Sequence, residues 1–458
     1  MKKVISVFII MVMVLSLVAC GGSGGDETDS SSNTDSATDA TTDTTATDDT
    51  SSEDAAASGD DNTLTVWCWD PAFNINAMEK AEAIYQQENP DFKLNIVETP
   101  WEDLQTKLTT AASSGQLDTL PDIFLMQDNA FQKNVISFPD VFVDLTNMDG
   151  IDFSQFAPAK AGFSSVDGKN YGVPFDNGAA IAAYRTDVLE EAGYSLDDFT
   201  DITWDEYLEM GKDILAKTGK PLLSGLAGES DVIVMMLQSA GGSFFDENGD
   251  PFIVGNEVLE TVAEQYLELV EAGVLIEVND WDQYIASFNN GTVAGTINGA
   301  WIMASIQAAE DQAGNWGITN LPKLEGLSAA TNYSTQGGSS WAVTTNSDNP
   351  ELAADFLGRT FGGSVEFYEQ ILPTGALSTY LPAADSDAYT VPSDFFGGQE
   401  VFALITDYAG RIPQSNTGVY FYEARDAVAT AITTSVHGGD LQSELQVAQD
   451  TLSFAMGR

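Results

Sequence analysis

The sequence predicts an α/β protein built as two lobes, and three observations point there. Strand and helix patterns alternate between residues 63 and 126, a helix-rich stretch with apolar faces of its own begins at Thr203, and a segment mixing strand residues with turn formers lies between them. At 458 residues the chain is long enough for two or three domains and a large apolar core.

The N-terminus reads as a targeting segment. Lys2 and Lys3 are followed by residues 4–19, an almost wholly apolar run that is short for a membrane span and suits a signal peptide. It ends in Leu17-Val18-Ala19-Cys20, which looks like a bacterial lipobox, so Cys20 is expected to carry lipid and to become the mature N-terminus. Residues 21–62 are mostly Gly, Ser, Thr, Ala and Asp, with no aromatic residue and no Lys or Arg. Such a stretch buries too little apolar surface to fold, and its like charges extend it, so residues 20–62 are expected to form a lipidated, disordered, acidic tether.

The body begins at Thr63. Leu64 to Trp69 alternates with period two as a first strand, closed by Asp70-Pro71. Residues 77–88 carry helical apolar spacing at Met78, Ala81, Ile84 and Tyr85, stopping before Asn89-Pro90. A second strand is expected at 92–97, a second helix at 101–112 and a short buried strand at 123–126. The β-α-β-α-β succession implies a mostly parallel sheet with helices on both faces and ligands at the C-terminal strand ends, here Trp69-Asp70 and Gln127-Asp128-Asn129. Residues 171–178 read as the crossover between lobes. Thr203 and Glu206 form a capping box ahead of an amphipathic helix, and further helices are expected at 232–239, 258–272 and 281–289.

Composition excludes several functions. Lys and Arg number 17 against 70 Asp and Glu, a formal charge of −53 that repels phosphate backbones, so no nucleic acid is expected as partner. The single histidine, His437, cannot build a His-rich metal site, and no cofactor or metal is expected. Residues 246–257 have a calcium-loop flavour, but Pro251 occupies the position where such a loop requires glycine, and Asn248-Gly249 reads better as a turn. Cys68 has no disulfide partner in the body and reads as a small core residue.

Several stretches carry a family resemblance. They are Val66-Trp67-Cys68-Trp69-Asp70-Pro71, Leu120-Pro121-Asp122-Ile123, residues 168–178, Thr296-Ile297-Asn298-Gly299-Ala300-Trp301-Ile302, Gln336-Gly337-Gly338-Ser339-Ser340-Trp341 and Glu423-Ala424-Arg425-Asp426-Ala427-Val428. In this set and order the body resembles a family 1 extracellular solute-binding protein of a bacterial sugar ABC importer, most closely the lactose-type binding lipoproteins and more distantly maltose-binding protein. The resemblance implies a periplasmic-binding-protein-like fold with a multi-segment hinge, closing on ligand in the interlobe cleft. It implies lobe 1 at 63–175 and 331–378, and lobe 2 at 176–330 and 379–458. It also implies a monomer with a carbohydrate ligand, the transmembrane subunits of an ABC permease as partner, and a place on the extracellular face of the cell membrane, held there through the lipid anchor alone.

The chemistry of such a ligand selects candidates. Sugar hydroxyls need donors and acceptors, and the C–H faces pack on flat rings. Trp69, Trp301 and Trp341 flank Asp, Asn or Gly and are the candidate platforms, while Trp67, Trp204 and Trp316 are assigned to core or lobe surface. By the resemblance, Trp301 is the foremost platform, and Tyr420 and Tyr422 lie in the stretch that supplies an aromatic from the C-terminal helix. Asp70, Asp128, Asp176 and Asn177 are candidate hydrogen-bonders at strand ends or the crossover, Arg411 offers a planar fork, and Gly338 a backbone amide. No catalytic residue is expected. A glycoside hydrolase using two carboxylates is the enzyme alternative, and a cationic solute such as a polyamine the alternative ligand.

Overall fold

The computed structural model describes residues 62–229, 231–413 and 417–458. The signal peptide and nearly all of the tether, with Cys20, lie outside the described residues. Among the described residues no helix is long and apolar enough to cross a membrane.

The first half of the chain alternates strand and helix as expected: β1 (Thr63–Cys68), α1 (Asn76–Tyr85), β2 (Lys93–Glu98), α2 (Trp101–Ser114), β3 (Ile123–Gln127) and α3 (Asp128–Ser137). A six-residue helix, α4 (Pro158–Phe163), precedes β4 (Gly172–Asp176). The chain then crosses to β5 (Ala180–Arg185), α5 (Trp204–Thr218), β6 (Leu223–Leu226), α6 (Asp231–Ser239), α7 (Glu257–Glu271), β7 (Leu275–Val278), α8 (Trp281–Asn289), β8 (Gly295–Gly299) and β9 (Trp316–Thr319). It returns as β10 (Ser339–Val343) and later supplies α9 (Phe421–Val436) and α10 (Leu441–Ala455).

The first sheet has the order β2-β1-β3-β10-β4. β1 runs parallel to β2 and β3, and β10 is antiparallel to both of its neighbours. Period-two alternation sends Leu64, Val66, Cys68, Ile123, Leu125 and Trp341 into one core, and Phe124, Met126 and Ala342 into a second core on the opposite face. Cys68 is buried, as expected of a core thiol, and burial pushes its pKa up.

The second lobe is built on an antiparallel sheet, β8-β5-β9, and a parallel pair, β6-β7. Ala180, Ala182 and Tyr184 face one core, while Ala179, Ile181 and Ala183 face another. The Thr203–Glu206 capping box forms at the start of α5: the Thr203 hydroxyl accepts from the Glu206 backbone N–H at 3.2 Å, and the Thr203 backbone N–H donates to the Glu206 carboxylate at 2.9 Å. Trp204 and Trp316 are core residues, and half-buried Trp67 lies under the Lys107 ammonium, 5.0 Å from its ring centre.

The chain passes between lobes at 177–179 and 335–338, two segments joined by the Ala179↔Thr335 bridge, and again near 372–378, where Ser378 bridges Asp176. Residues 331–334, expected with the first lobe, instead hydrogen-bond to the second: Thr331 N–H donates to Ser239 O at 2.8 Å and Leu321 N–H to Asn332 O at 3.1 Å. Conversely Tyr380 and Ala383, expected with the second lobe, pack in the first-lobe core.

Candidate functional site

At the C-terminal end of β1, Asp70 Oδ1 accepts from the backbone N–H groups of Ala72 and Phe73 at 2.9 and 3.1 Å, capping the helical turn Pro71–Ile75. The residue expected to meet ligand is therefore engaged as a cap. The turn sets half-buried Trp69 beside Trp101, the first residue of α2, with ring centroids 5.4 Å apart. Trp101 continues to Tyr422 of α9 at 5.9 Å. The Tyr422 hydroxyl donates to Gln127 Oε1 at the end of β3, and the Arg425 guanidinium lies over the Tyr422 ring at 4.8 Å.

On the second lobe Trp301 is half-buried, stacks obliquely on Trp281 at 5.7 Å, and donates its indole N–H to Gln336 O at 3.0 Å. Gln336 Nε2 donates to Asp231 Oδ1 at 2.5 Å, and Asn298 Nδ2 donates to Tyr284 OH at 3.1 Å and more weakly to Asp231 Oδ2 at 3.4 Å. Burial pushes the Asp231 carboxyl above the usual carboxylate range, opposed by the Arg425 charge and the Asn298 amide. Burial disfavours the Arg425 charge, yet Asp426, Tyr422 and Asp231 outweigh it and hold its pKa above the ordinary guanidinium value. Ring contacts and hydrogen bonds link Trp69, Trp101, Tyr422 and Arg425 in one run and Asp231, Gln336, Trp301 and Trp281 in another, and the opposite charges of Arg425 and Asp231 join the two into an arc of rings and polar groups from the first lobe to the second.

Between the ends of the arc lies a buried charge network. Asp128 receives Lys160 of α4 on Oδ2 and the Ser340 hydroxyl on Oδ1 at 3.1 Å, while the Ser339 hydroxyl donates to Asp176 at 2.5 Å. A register shift between β10 and β4 at Ser339/Ser340 lets consecutive serines serve two different acids. Lys160 also donates to Ser339 O at 2.9 Å. Burial raises both carboxyls, Asp128 to about 6, against the Lys160 charge. Asp128 and Asp176 were expected as direct hydrogen-bonders; both are buried, with their acceptor oxygens already turned to this chain's own donors.

The network bears on the glycine pair. Gly338 has φ +91°, and a Cβ there would sit 2.6 Å from Asp128 Oδ2; Gly337 has φ +81°, and a Cβ there would sit 2.8 Å from Trp301 Nε1. Only glycine adopts this backbone while admitting both contacts. Gly338 O is also bonded by the Asp128 N–H at 3.0 Å.

The remaining candidates divide. Asn177 is half-buried on the first crossing, and half-buried Tyr420 lies against Lys133, whose ammonium is 5.4 Å from its ring centre. Trp341 is a correction: it is 0% exposed, wedged between Phe175 and Phe361 at 5.6 and 5.4 Å, because its place on β10 points it into the core and away from any opening. Arg411 is exposed, pairs with Asp407 at 2.8 Å and donates to Tyr333 OH at 2.8 Å, outside the arc. Sequence reasoning missed Trp101, Trp281, Tyr284 and Asp231. Trp101 and Trp281 each open a helix just after its cap, at Pro100 and Asp280, a position that in the sequence does not set them apart from ordinary first-turn residues. Among the described residues no group of three or more His, Cys, Asp or Glu is arranged to hold a metal ion.

Comparison with known proteins follows this geometry. Residues 80–396 match the family model described as bacterial extracellular solute-binding protein. The lactose-binding protein of Rhizobium radiobacter is 38% identical over 399 residues, 86% of this chain and 93% of that protein. An arabinooligosaccharide-binding protein of Bacillus subtilis is 24% identical over 476 residues, covering 100% of this chain and 99% of that protein. Among solved structures, the ABC transporter associated binding protein from B. animalis subsp. lactis Bl-04, in complex with beta-1,6-galactobiose, superposes with a TM-score of 0.74 at 21% identity, covering 86% of this chain and 97% of that one. That likeness shows the fold, two α/β lobes around a cleft, and the extent of the sequence match shows the lineage: the chain belongs to the bacterial extracellular solute-binding proteins.

Proposed function

We propose that this protein captures a di- or oligosaccharide between its lobes and delivers it to the transmembrane subunits of an ABC importer. The observation that carries the reading is the arc of four tryptophans with Tyr422, Arg425, Asp231 and Gln336, spanning both lobes. Indole faces suit the C–H faces of pyranose rings, and buried donors and acceptors suit their hydroxyls. The relatives support the sugar class, since those named bind lactose and arabino-oligosaccharides and the structural neighbour holds a galactobiose. Ligand touching both lobes favours the closed form through its differential affinity, with no bond made or broken. The ligand contacts proposed are Trp69, Trp301, Tyr422 and, by backbone, the 337–338 glycines. Asp70, Asp128 and Asp176 hold the backbone that carries them, and Asn177 and Tyr420 flank the arc. Lobe 1 comprises 63–176, 339–371 and 379–384, and lobe 2 most of the remainder of the body. Lipidation at Cys20 with the acidic tether to residue 62 would place a monomer on the outer face of the membrane.

Calorimetry against lactose, galactobiose, arabino-oligosaccharides and, as controls, polyamines tests the reading. Trp301→Ala is expected to weaken the bound sugar at least tenfold, a loss of about 1.4 kcal/mol or more. Binding of a polyamine with no sugar bound, or release of hydrolysis products from a sugar, would contradict it.

A further inference from the structure

We propose that Lys133 and Glu423 are the charged half of a ligand-independent clasp between the lobes, positioning residues that set sugar affinity without touching sugar. The inference rests on the reading above, in which the lobes open and close around a sugar.

The two helices concerned belong to different lobes. α3 follows β3 of the first sheet, and its Ala130, Phe131 and Val135 pack in a first-lobe core. α9 places Ala424, Val428 and Ile432 in the second-lobe core. Where they meet, Lys133 pairs with Glu423 Oε1 and covers the Tyr420 ring at 5.4 Å, while Tyr422 donates to Gln127 and lies against Trp101. An ion pair, a cation–π contact, a neutral hydrogen bond and a ring contact therefore fall on one short stretch of α9 and its cap, all directed at the first lobe.

The pair is partly withdrawn from water. The Lys133 and Glu423 side chains are 35% and 26% exposed, and Glu423 Oε2 is buried without a hydrogen-bond partner. Removing one member leaves the other charge half-desolvated, so the closed arrangement suffers more than a surface pair would. The orphaned oxygen also keeps the clasp weak, because opening returns it to water. A weak clasp is what reversible capture requires. The cavity under Asp231, Tyr284 and Asn298 measures about 10 Å³, room for one water, so this second-lobe cavity admits no sugar ring as it stands. Apparent affinity scales with the fraction of molecules able to reach the competent closed form, and loss of the clasp lowers that fraction.

The experiment compares wild type, Lys133→Ala, Glu423→Gln and the charge-reversed double variant K133E/E423K, each checked for its far-ultraviolet dichroism and melting midpoint. Lys133→Gln replaces any Lys133→Ala that does not fold. Each single variant is expected to bind the cognate sugar about five- to tenfold more weakly, with the double variant recovering most of the loss. Raised salt should weaken wild type towards the single variants although the sugar is uncharged. Small-angle scattering without ligand should give the single variants a larger radius of gyration. Unchanged affinity and radius in the single variants overturn the clasp. So does a double variant as weak as the singles, which would mark these residues as ligand contacts or packing. Should wild type bind no sugar, the functional reading fails, while the ligand-free scattering comparison still decides the clasp.

Discussion

Asp128 is a buried carboxylate engaged by this chain's own donors. Its carboxylate is shared between Lys160 and Ser340, and its backbone N–H fastens Gly338, which adjoins the glycine beneath Trp301. Asp176 and Asp128 together present two carboxyls to one ammonium, and burial raises the pKa of each. The Asp128 carboxyl stands at about 6, above its unfolded value of 3.8, so the folded protein binds the extra proton between those limits. Its contribution to stability is fully present below pH 3.8 and is lost as pH rises through about 6. Urea unfolding of wild type and Asp128→Asn between pH 4 and 7 should show their stability difference shifting in favour of the variant with rising pH, by on the order of 2 kcal/mol. A difference that stays flat over that range would remove the charge network from the account. Lys160→Met, leaving two buried acids without a cation, is expected to cost about 3–5 kcal/mol.

Elements were legible where a boundary residue or a one-sided pattern marks them. The Thr203–Glu206 capping box marked the start of α5, and Asn89-Pro90 marked the limit past which α1 could not extend. Thr203→Ala should lower unfolding stability by about 1 kcal/mol, and Thr203→Asp should retain most of it; equal losses in both would mean the cap is immaterial. The strands of the second sheet were not read. β5, Ala-Ile-Ala-Ala-Tyr-Arg, is buried on both faces, so it carries no alternation, and its small residues show little strand preference. The site followed the same rule. Trp69 and Trp301 stood out beside Asp and Gly, whereas Trp101 and Trp281 look like ordinary first-turn residues of amphipathic helices until the fold turns them towards the arc.

For the whole molecule, function depends on the coupling of two separately cored lobes. A ligand that binds the folded, closed form stabilises it by mass action, about 2.7 kcal/mol at a hundredfold excess over Kd. The melting midpoint should therefore rise by several degrees with the cognate sugar and stay fixed with sugars that do not bind; a midpoint indifferent to every sugar tried would count against the proposed ligand class. What the sequence determined by itself was the α/β class, the order of the first five elements, the core identity of Cys68, the placing of Trp204 and Trp316 in core or lobe surface, and the family, because periodicity, caps and motif order are properties of neighbouring residues. The tertiary structure alone decided that Trp341 is buried, that Asp70, Asp128 and Asp176 serve the chain's own backbone and side chains, and that α9 reaches across to α3. Those outcomes depend on which face of a strand meets a core and on residues some 200 to 300 positions apart, such as Ser340 with Asp128 and Glu423 with Lys133, being brought within bonding distance.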